Sequence, residues 1–397
     1  MGFSAMHFSQ VAEWRARNAS IVFASTVVKQ PVYVSMTTIK ARIGRVHKTI
    51  ISIFEGPLVP DRLYLFISRE GFLLDAGVQP EDIPLELKEL ITVRCWPISI
   101  VYTQNLGSHR KLLPLLAHKW HEDCTIATFD DEPKDEGKLK QYILQLVRYY
   151  LATQRAAIVS LKARRIGLCR ASPWNVRNYG YWMVASPGRQ EFFLLPTGTG
   201  SVLYRPRFFH PVIFDPVLRN LTRTADDIMF RLATLARGVK VVTGCRDEYQ
   251  RDRQGRQTVV LCPAVANIFG PDGDPSLWNA SLASNLGVVV AAAAAATTIT
   301  TTAAKMPTRR RLQSLSQLNL HKQGNDRAWR NATTYLLKLG VLNLTLLATQ
   351  HMPWERGRAC DSHGWQLHPL KRRADELGKR LLKQRRDCSF TNCKPAT

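Results

Sequence analysis

Apolar positions between Pro31 and Cys262 fall into two alternating patterns. Short runs of apolar, often β-branched residues read as buried strands: Pro31–Thr37 (PVYVSMT), Leu63–Ile67 (LYLFI), Ile91–Cys95, Thr125–Phe129 (TIATF), Ala157–Leu161, Phe192–Leu195 and Val239–Thr243. Between them lie stretches with helical spacing. Val46, Ile50, Ile53 and Phe54 line one face of Arg45–Phe54. Leu112, Leu113, Leu116 and Trp120 do the same in His109–Trp120, and Leu139, Ile143, Leu146, Val147 and Tyr150 in Lys138–Leu151. Thr224–Leu235 reads as a further helix, with Thr224 at its N-cap and Asp226 and Asp227 in its first turn, where acids favour the helix dipole. Strands that alternate with helices at this spacing predict an open, mostly parallel α/β sheet. Strands that are apolar throughout agree, because they are covered on both faces.

Residues 170–205 change character, with Trp174, Tyr179, Tyr181, Trp182, Pro187, Pro196, Gly198 and Gly200 close together. This predicts a loop-rich insert. After Cys262 the alternation dissolves. Ala291–Ala304 is low in complexity, Arg309–Arg311 is basic, one short helical stretch falls near Tyr335–Leu347, and Lys371–Arg386 is a basic run. The expected division is an N-terminal extension over 1–30, an α/β domain over 31–265, a linker with the Ala/Thr stretch over 266–304, and a disordered or loosely helical basic tail over 305–397.

One strand carries the candidate chemistry. Thr125–Phe129 runs directly into Asp130, Asp131 and Glu132. In an open α/β sheet the carboxyl ends of the strands line the ligand crevice. Three acids there repel one another unless a cation joins them, and a hard divalent ion with oxygen ligands suits that role. Such an ion keeps positions open for a substrate diphosphate and acts on a departing phosphate as a Lewis acid. The same residues also read as a solvated first helical turn.

Charge adds a second observation. The 397 residues hold 55 Lys and Arg against 31 Asp and Glu, a net charge of +24. Nucleic acid, an acidic membrane face and an anionic small substrate are all compatible with it. The excess is uneven: residues 301–397 have 19 basic and 6 acidic side chains, so +13 of it belongs to the tail. No helix-turn-helix, zinc-finger or RNP-type motif accompanies it. The eight cysteines include no CxxC pair, and Cys360, His363 and His368 have no standard finger spacing, so zinc is not expected. Sequons at Asn18, Asn220, Asn279, Asn331 and Asn343 hint at the secretory pathway. The first 30 residues lack a signal-peptide pattern, and Leu286–Ala304 is too weakly apolar for a membrane span. The compartment stays open between the secretory pathway and the cytoplasm. The basic tail suits association with a membrane surface.

Several blocks, in order, resemble those of a family. They are Val34–Thr38 followed by Arg42-Ile43, Pro60–Leu65, Asn105–Leu112, Asp130–Glu132, Tyr179–Trp182, Thr197–Tyr204 and Ala225–Ile228. Together they resemble the nucleotide-diphospho-sugar transferases of the GT-A fold, in particular a family-2-like polysaccharide glycosyltransferase group. The resemblance covers about residues 31–265. It implies a Rossmann-like three-layer α/β/α domain, a nucleotide-sugar donor, a glycan or other hydroxyl acceptor, and Mn²⁺ or Mg²⁺. Asp130 and Glu132 stand at the first and third positions of the family's DxD metal motif, whose third residue is normally Asp. Thr37, Arg42, Lys111, Asp130 and Asp131 are the implied donor-binding residues. Trp182, Gly198 and Gly200 are implied on the acceptor side. Asp226 or Asp227 is the implied general base, with Asp227 preferred. A catalytically inactive module of the same fold and a nucleic-acid-binding protein are the competing expectations.

Overall fold

The computed structural model describes residues 21–131, 139–169, 172–244, 249–251, 257–259 and 315–342. A short helix α1 (Ala24–Val28) leads into strand β1 (Val32–Thr37), a 3₁₀ turn at Ile43–Arg45 and helix α2 (Val46–Phe54). Then come β2 (Arg62–Ile67), α3 (Leu85–Thr92), β3 (Ile98–Tyr102), a 3₁₀ turn at Gly107–Lys111 and α4 (Leu113–His118). β4 (Thr125–Phe129), α5 (Tyr142–Ala152) and β5 (Ile158–Ser160) follow. The insert holds short strands β6 (Ala163–Arg165), β7 (Leu168–Cys169), β8 (Ser172–Val176), β9 (Gln190–Glu191) and β10 (Leu194–Pro196). The chain returns through β11 (Val202–Tyr204), α6 (Pro216–Leu221), α7 (Asp226–Ala236) and β12 (Val241–Thr243). A small ribbon of β13 (Tyr249–Arg251) and β14 (Gln257–Val259) and a long helix α8 (Leu315–Lys338) complete the described elements.

The fold is α/β. Its central sheet has eight strands in the order β3-β2-β1-β4-β11-β5-β12-β9. Six strands run one way; β11 and β9 run against them. All five β4 residues are buried, as are Val32, Val34, Ser35 and Met36 of β1. This is the expected outcome for apolar strands with both faces covered. From β1 the chain builds outward through β2 and β3, then crosses to lay β4 on the other side of β1. That reversal is a topological switch point, where the carboxyl ends of adjacent strands splay and leave a crevice.

Two elements differ from the sequence expectation. The third strand is Ile98–Tyr102, and Ile91–Cys95 instead ends a helix and the turn after it. Leu87 and Leu90 bury one side of α3, so its amphipathic packing overrides the β-branched composition of Ile91-Thr92-Val93. The second difference lies in residues 305–397. Part of this segment is α8, a 24-residue helix that begins well before Tyr335. Its Ala328, Trp329, Ala332 and Leu336 are buried. Trp329 stacks edge-on against Trp182 at 5.2 Å, and Tyr335 donates to Asp215. The Leu286–Ala304 stretch, the run Lys371–Arg386 and Cys360, His363 and His368 lie outside the described residues. Among the described residues no helix is long and apolar enough to cross a membrane.

Candidate functional site

Asp130 and Asp131 leave the end of β4 in different directions. Asp131 is buried and turns back towards β1. Its Oδ2 accepts from Thr38 Oγ1 at 2.6 Å and pairs with Arg42 Nε at 3.0 Å, and its carbonyl accepts from Thr49 Oγ1 of α2. This acid therefore ties the loop after β1, the start of α2 and the end of β4 into one corner. Asp130, with a side chain 37% exposed, opens onto the crevice. Thr37, expected among the donor contacts, donates instead to the Phe66 carbonyl. Its neighbour Thr38 is the threonine that faces the acids.

A second acidic group arrives from α7. The helix opens at Asp226 with Ala225 as N-cap and without a side-chain cap, two residues after the expected start. Asp226 and Asp227 in its first turn meet Lys111, the last residue of the 3₁₀ turn before α4. Lys111 Nζ lies 2.7 Å from Asp226 Oδ2, 3.5 Å from Asp227 Oδ1 and 3.6 Å from Asp130 Oδ1. Three acids named from the sequence thus converge around the ammonium group of Lys111, which is itself buried. Lys111 had been expected against the donor phosphates; here it faces carboxylates.

This arrangement separates the two aspartates electrostatically. Burial alone would lower the lysine, but the surrounding acids hold it well above its ordinary value. Burial opposes ionisation of Asp226 as well, yet the close Lys111 contact keeps it below the usual carboxylate range. Asp227 is pushed up to about 7, by burial first and then by the charges of Asp226 and Asp130, against the pull of Lys111. Neighbouring carboxyls with divergent proton affinities divide naturally into a permanent anion and a group that exchanges protons near neutrality.

The Gly198–Gly200 turn closes over this cluster. It precedes β11, whose register places Val202 opposite Thr128, next to the acidic end of β4. The Gly198 N–H points at both oxygens of Asp227, at 3.2 Å each. A Cβ at Gly198 would lie 2.4 Å from Lys111 Nζ and 3.0 Å from Asp130 Oδ1, and one at Gly200 would lie 2.3 Å from Lys162 Cβ. Both glycines are there for close approach. Ser201, with φ +60° and ψ 141°, takes up the turn's strain, a conformation that non-glycine residues adopt at a cost.

Some neighbours carried no local sequence signal. His109 and Tyr204 are buried close beneath the acids; burial lowers the proton affinity of the histidine and raises the pKa of the phenol. Further along the crevice rim, Arg110 pairs with Asp75 at 2.7 Å, both side chains almost fully buried, and also donates to the Thr38 carbonyl. Asn105 donates to Asp75 and to the Glu70 carbonyl. This network fixes the loops after β1, β2 and β3 to each other.

Trp182 is enclosed by other aromatic side chains. It is 2% exposed, lies between Tyr179 and Trp329, and donates its indole N–H to the Arg177 carbonyl. No open face is left for a sugar ring, so its role here is to seat α8. Tyr181, Met183 and Val184 in the same segment are exposed. Glu132 and the side chain of Trp174 lie outside the described residues.

Among the described residues the donor set fits a divalent ion through Asp130. Among the described residues no three His, Cys, Asp or Glu side chains converge as metal ligands. Asp131 is already paired with Arg42, and Asp226 with Lys111. Asp130 is the carboxylate that opens to the crevice. One carboxylate together with substrate phosphates is a familiar way to hold Mg²⁺; an all-protein cage is not what these residues make. In comparisons with known proteins, no family model and no curated protein matches this chain.

Proposed function

We propose that this chain is a glycosyltransferase of the GT-A type, which moves a sugar from a nucleotide-diphosphate donor to a hydroxyl of a glycan or another acceptor. The observation that carries the reading is Asp227: a carboxyl with a proton affinity near neutral, held by a backbone N–H, beside the crevice at the sheet's switch point. Such a group can take a proton from an acceptor hydroxyl in reach and stay protonated while the bond forms. The acceptor oxygen then attacks the anomeric carbon, and the diphosphate departs with the electron pair of the broken C–O bond. Arg42, half-buried and paired through Nε with Asp131, is the candidate cation for the diphosphate, with a planar guanidinium that can share its charge between a carboxylate and a phosphate. A divalent cation, when bound by Asp130 and the donor phosphates, would supply Lewis-acid neutralisation of the leaving group.

The test is a thermal-shift screen of UDP- and GDP-sugars with and without Mn²⁺, since a ligand bound to the folded state raises its apparent stability. The expected result is stabilisation by one donor, strengthened by Mn²⁺ and weakened in Asp130→Ala. A flat screen, or equal transfer activity in wild type and Asp227→Asn, would overturn the reading.

A further inference from the structure

We propose that Lys111 is the positioning residue of the base Asp227, with Asp226 as its anchor, and does not bind donor phosphate. The proposal rests on the glycosyl-transfer reading above and divides the labour between the two aspartates.

An ammonium group has three N–H donors and no acceptor. At Lys111 the three nearest anionic partners are Asp226 at 2.7 Å, Asp227 at 3.5 Å and Asp130 at 3.6 Å. Its charge is enclosed by carboxylates inside the protein, at 2.7 to 3.6 Å. The side chain is 8% exposed, and the Gly198 backbone lies against it so tightly that a single added methyl group would collide with Nζ. To reach a phosphate, the ammonium would have to leave three carboxylates and pass under this turn. Its departure would strand several acids without a counter-charge in a partly dry site, and breaking a buried ion pair on one side is strongly destabilising.

The contact lengths set the order of dependence. Asp226 makes the short contact and fixes the lysine. The lysine in turn faces Asp227 Oδ1, while the Gly198 N–H spans both oxygens of the same carboxylate. Asp227 is thus held between two groups that come from different elements. Asp226 is 8% exposed and its charge is committed to the lysine, which suits an anchor and does not suit a group that must meet an acceptor.

The experiment uses the full chain with Lys111→Met, Lys111→Gln, Asp226→Asn and the double variant Lys111→Met/Asp226→Asn. Binding of UDP and of GDP is measured by calorimetry, and turnover is followed with whichever nucleotide-sugar stabilises the wild type. Positioning predicts that Lys111→Met keeps the nucleotide Kd within about twofold while turnover at saturating donor falls by about 100-fold, the scale of a disabled general base. Lys111→Gln, which keeps N–H donors, should recover part of that turnover. A tenfold rise in nucleotide Kd with saturated turnover intact would overturn the proposal and make Lys111 a phosphate ligand. Full turnover in Asp226→Asn would overturn the anchor. Thermal melting separates these results from failure of the broader reading. If the wild type binds neither nucleotide and turns over no donor, the glycosyl-transfer reading fails. The commitment of Lys111 to the acids is still decided by whether Asp226→Asn restores part of the melting temperature lost in Lys111→Met; no restoration would overturn it.

Discussion

Asp227→Asn is the perturbation whose magnitude follows most directly from the site. In the folded protein the Asp227 carboxyl titrates at about 7, against 3.8 for an unperturbed aspartate. Because its folded value is raised, its contribution to stability is fully present below about pH 4 and is lost as the pH rises through 7. Each pH unit of displacement corresponds to about 1.4 kcal/mol, so the penalty above pH 7 has a ceiling of about 4 kcal/mol. The side chain is 28% exposed, and water reaching it reduces that figure; an expectation of about 2 kcal/mol at pH 8 allows for the screening. Asn keeps the shape and an oxygen for the Gly198 N–H but carries no charge. The variant should therefore be more stable than wild type at pH 8 by about 2 kcal/mol, with the gain shrinking as the pH falls and vanishing only below about pH 4. Urea unfolding at half-unit steps from about pH 3.5 to 9 measures this directly. Parallel stability curves for the two proteins across that range would refute the assignment of a raised proton affinity to Asp227. The same substitution should abolish transfer, so stability and activity would move in opposite directions, as at a site whose strain serves chemistry.

Three further outcomes are expected. Gly198→Ala should leave the fold intact but lower turnover at least about tenfold, because a Cβ 2.4 Å from Lys111 Nζ pushes the ammonium off its acids; misplacement on this scale is costly in catalysis. Arg110→Met should destabilise by about 3–5 kcal/mol in urea unfolding, since it leaves Asp75 charged and buried without its 2.7 Å partner. Trp329→Ala should cost about 3 kcal/mol, as for other large core truncations. It should also change the fluorescence of Trp182, whose ring it contacts.

The legible parts of the molecule were those encoded by local periodicity. Thr125–Phe129 followed by acids could be read as a strand end, because apolarity and charge switch within one residue. The amphipathic stripe from Ile143 to Tyr150 announced α5 in the same way. What the sequence concealed depends on partners far away in the chain. Nothing near Asp131 indicates that Arg42 and Thr38, about 90 residues earlier, occupy its carboxylate. Asp75 and Arg110 are 35 residues apart and look like ordinary surface charges until the loops meet. Lys111 was recognisable as important but not in its orientation, since only the return of α7 brings Asp226 to it. The helix α8 was obscured by its polar composition; Trp329, Ala332 and Leu336 lie three and four residues apart on one side, yet the surrounding charges and Gly324 diluted that stripe.

The antiparallel strand β11 has an architectural consequence. It is hydrogen-bonded to β4 on one side and β5 on the other, so the turn that carries Gly198 hangs from the sheet itself. The excursion of about 40 residues between β5 and β11, with its aromatic segment and short strands, is flanked at both ends by rigid sheet. It is also anchored midway, because β9 within it pairs with β12 at the edge of the sheet and Trp182 packs on α8. Gly198 lies at its far end, so the spacing between that glycine and the acids of β4 and α7 depends on how the whole excursion is seated. A change in its packing on β12 or α8 is therefore transmitted to the turn that covers Asp227.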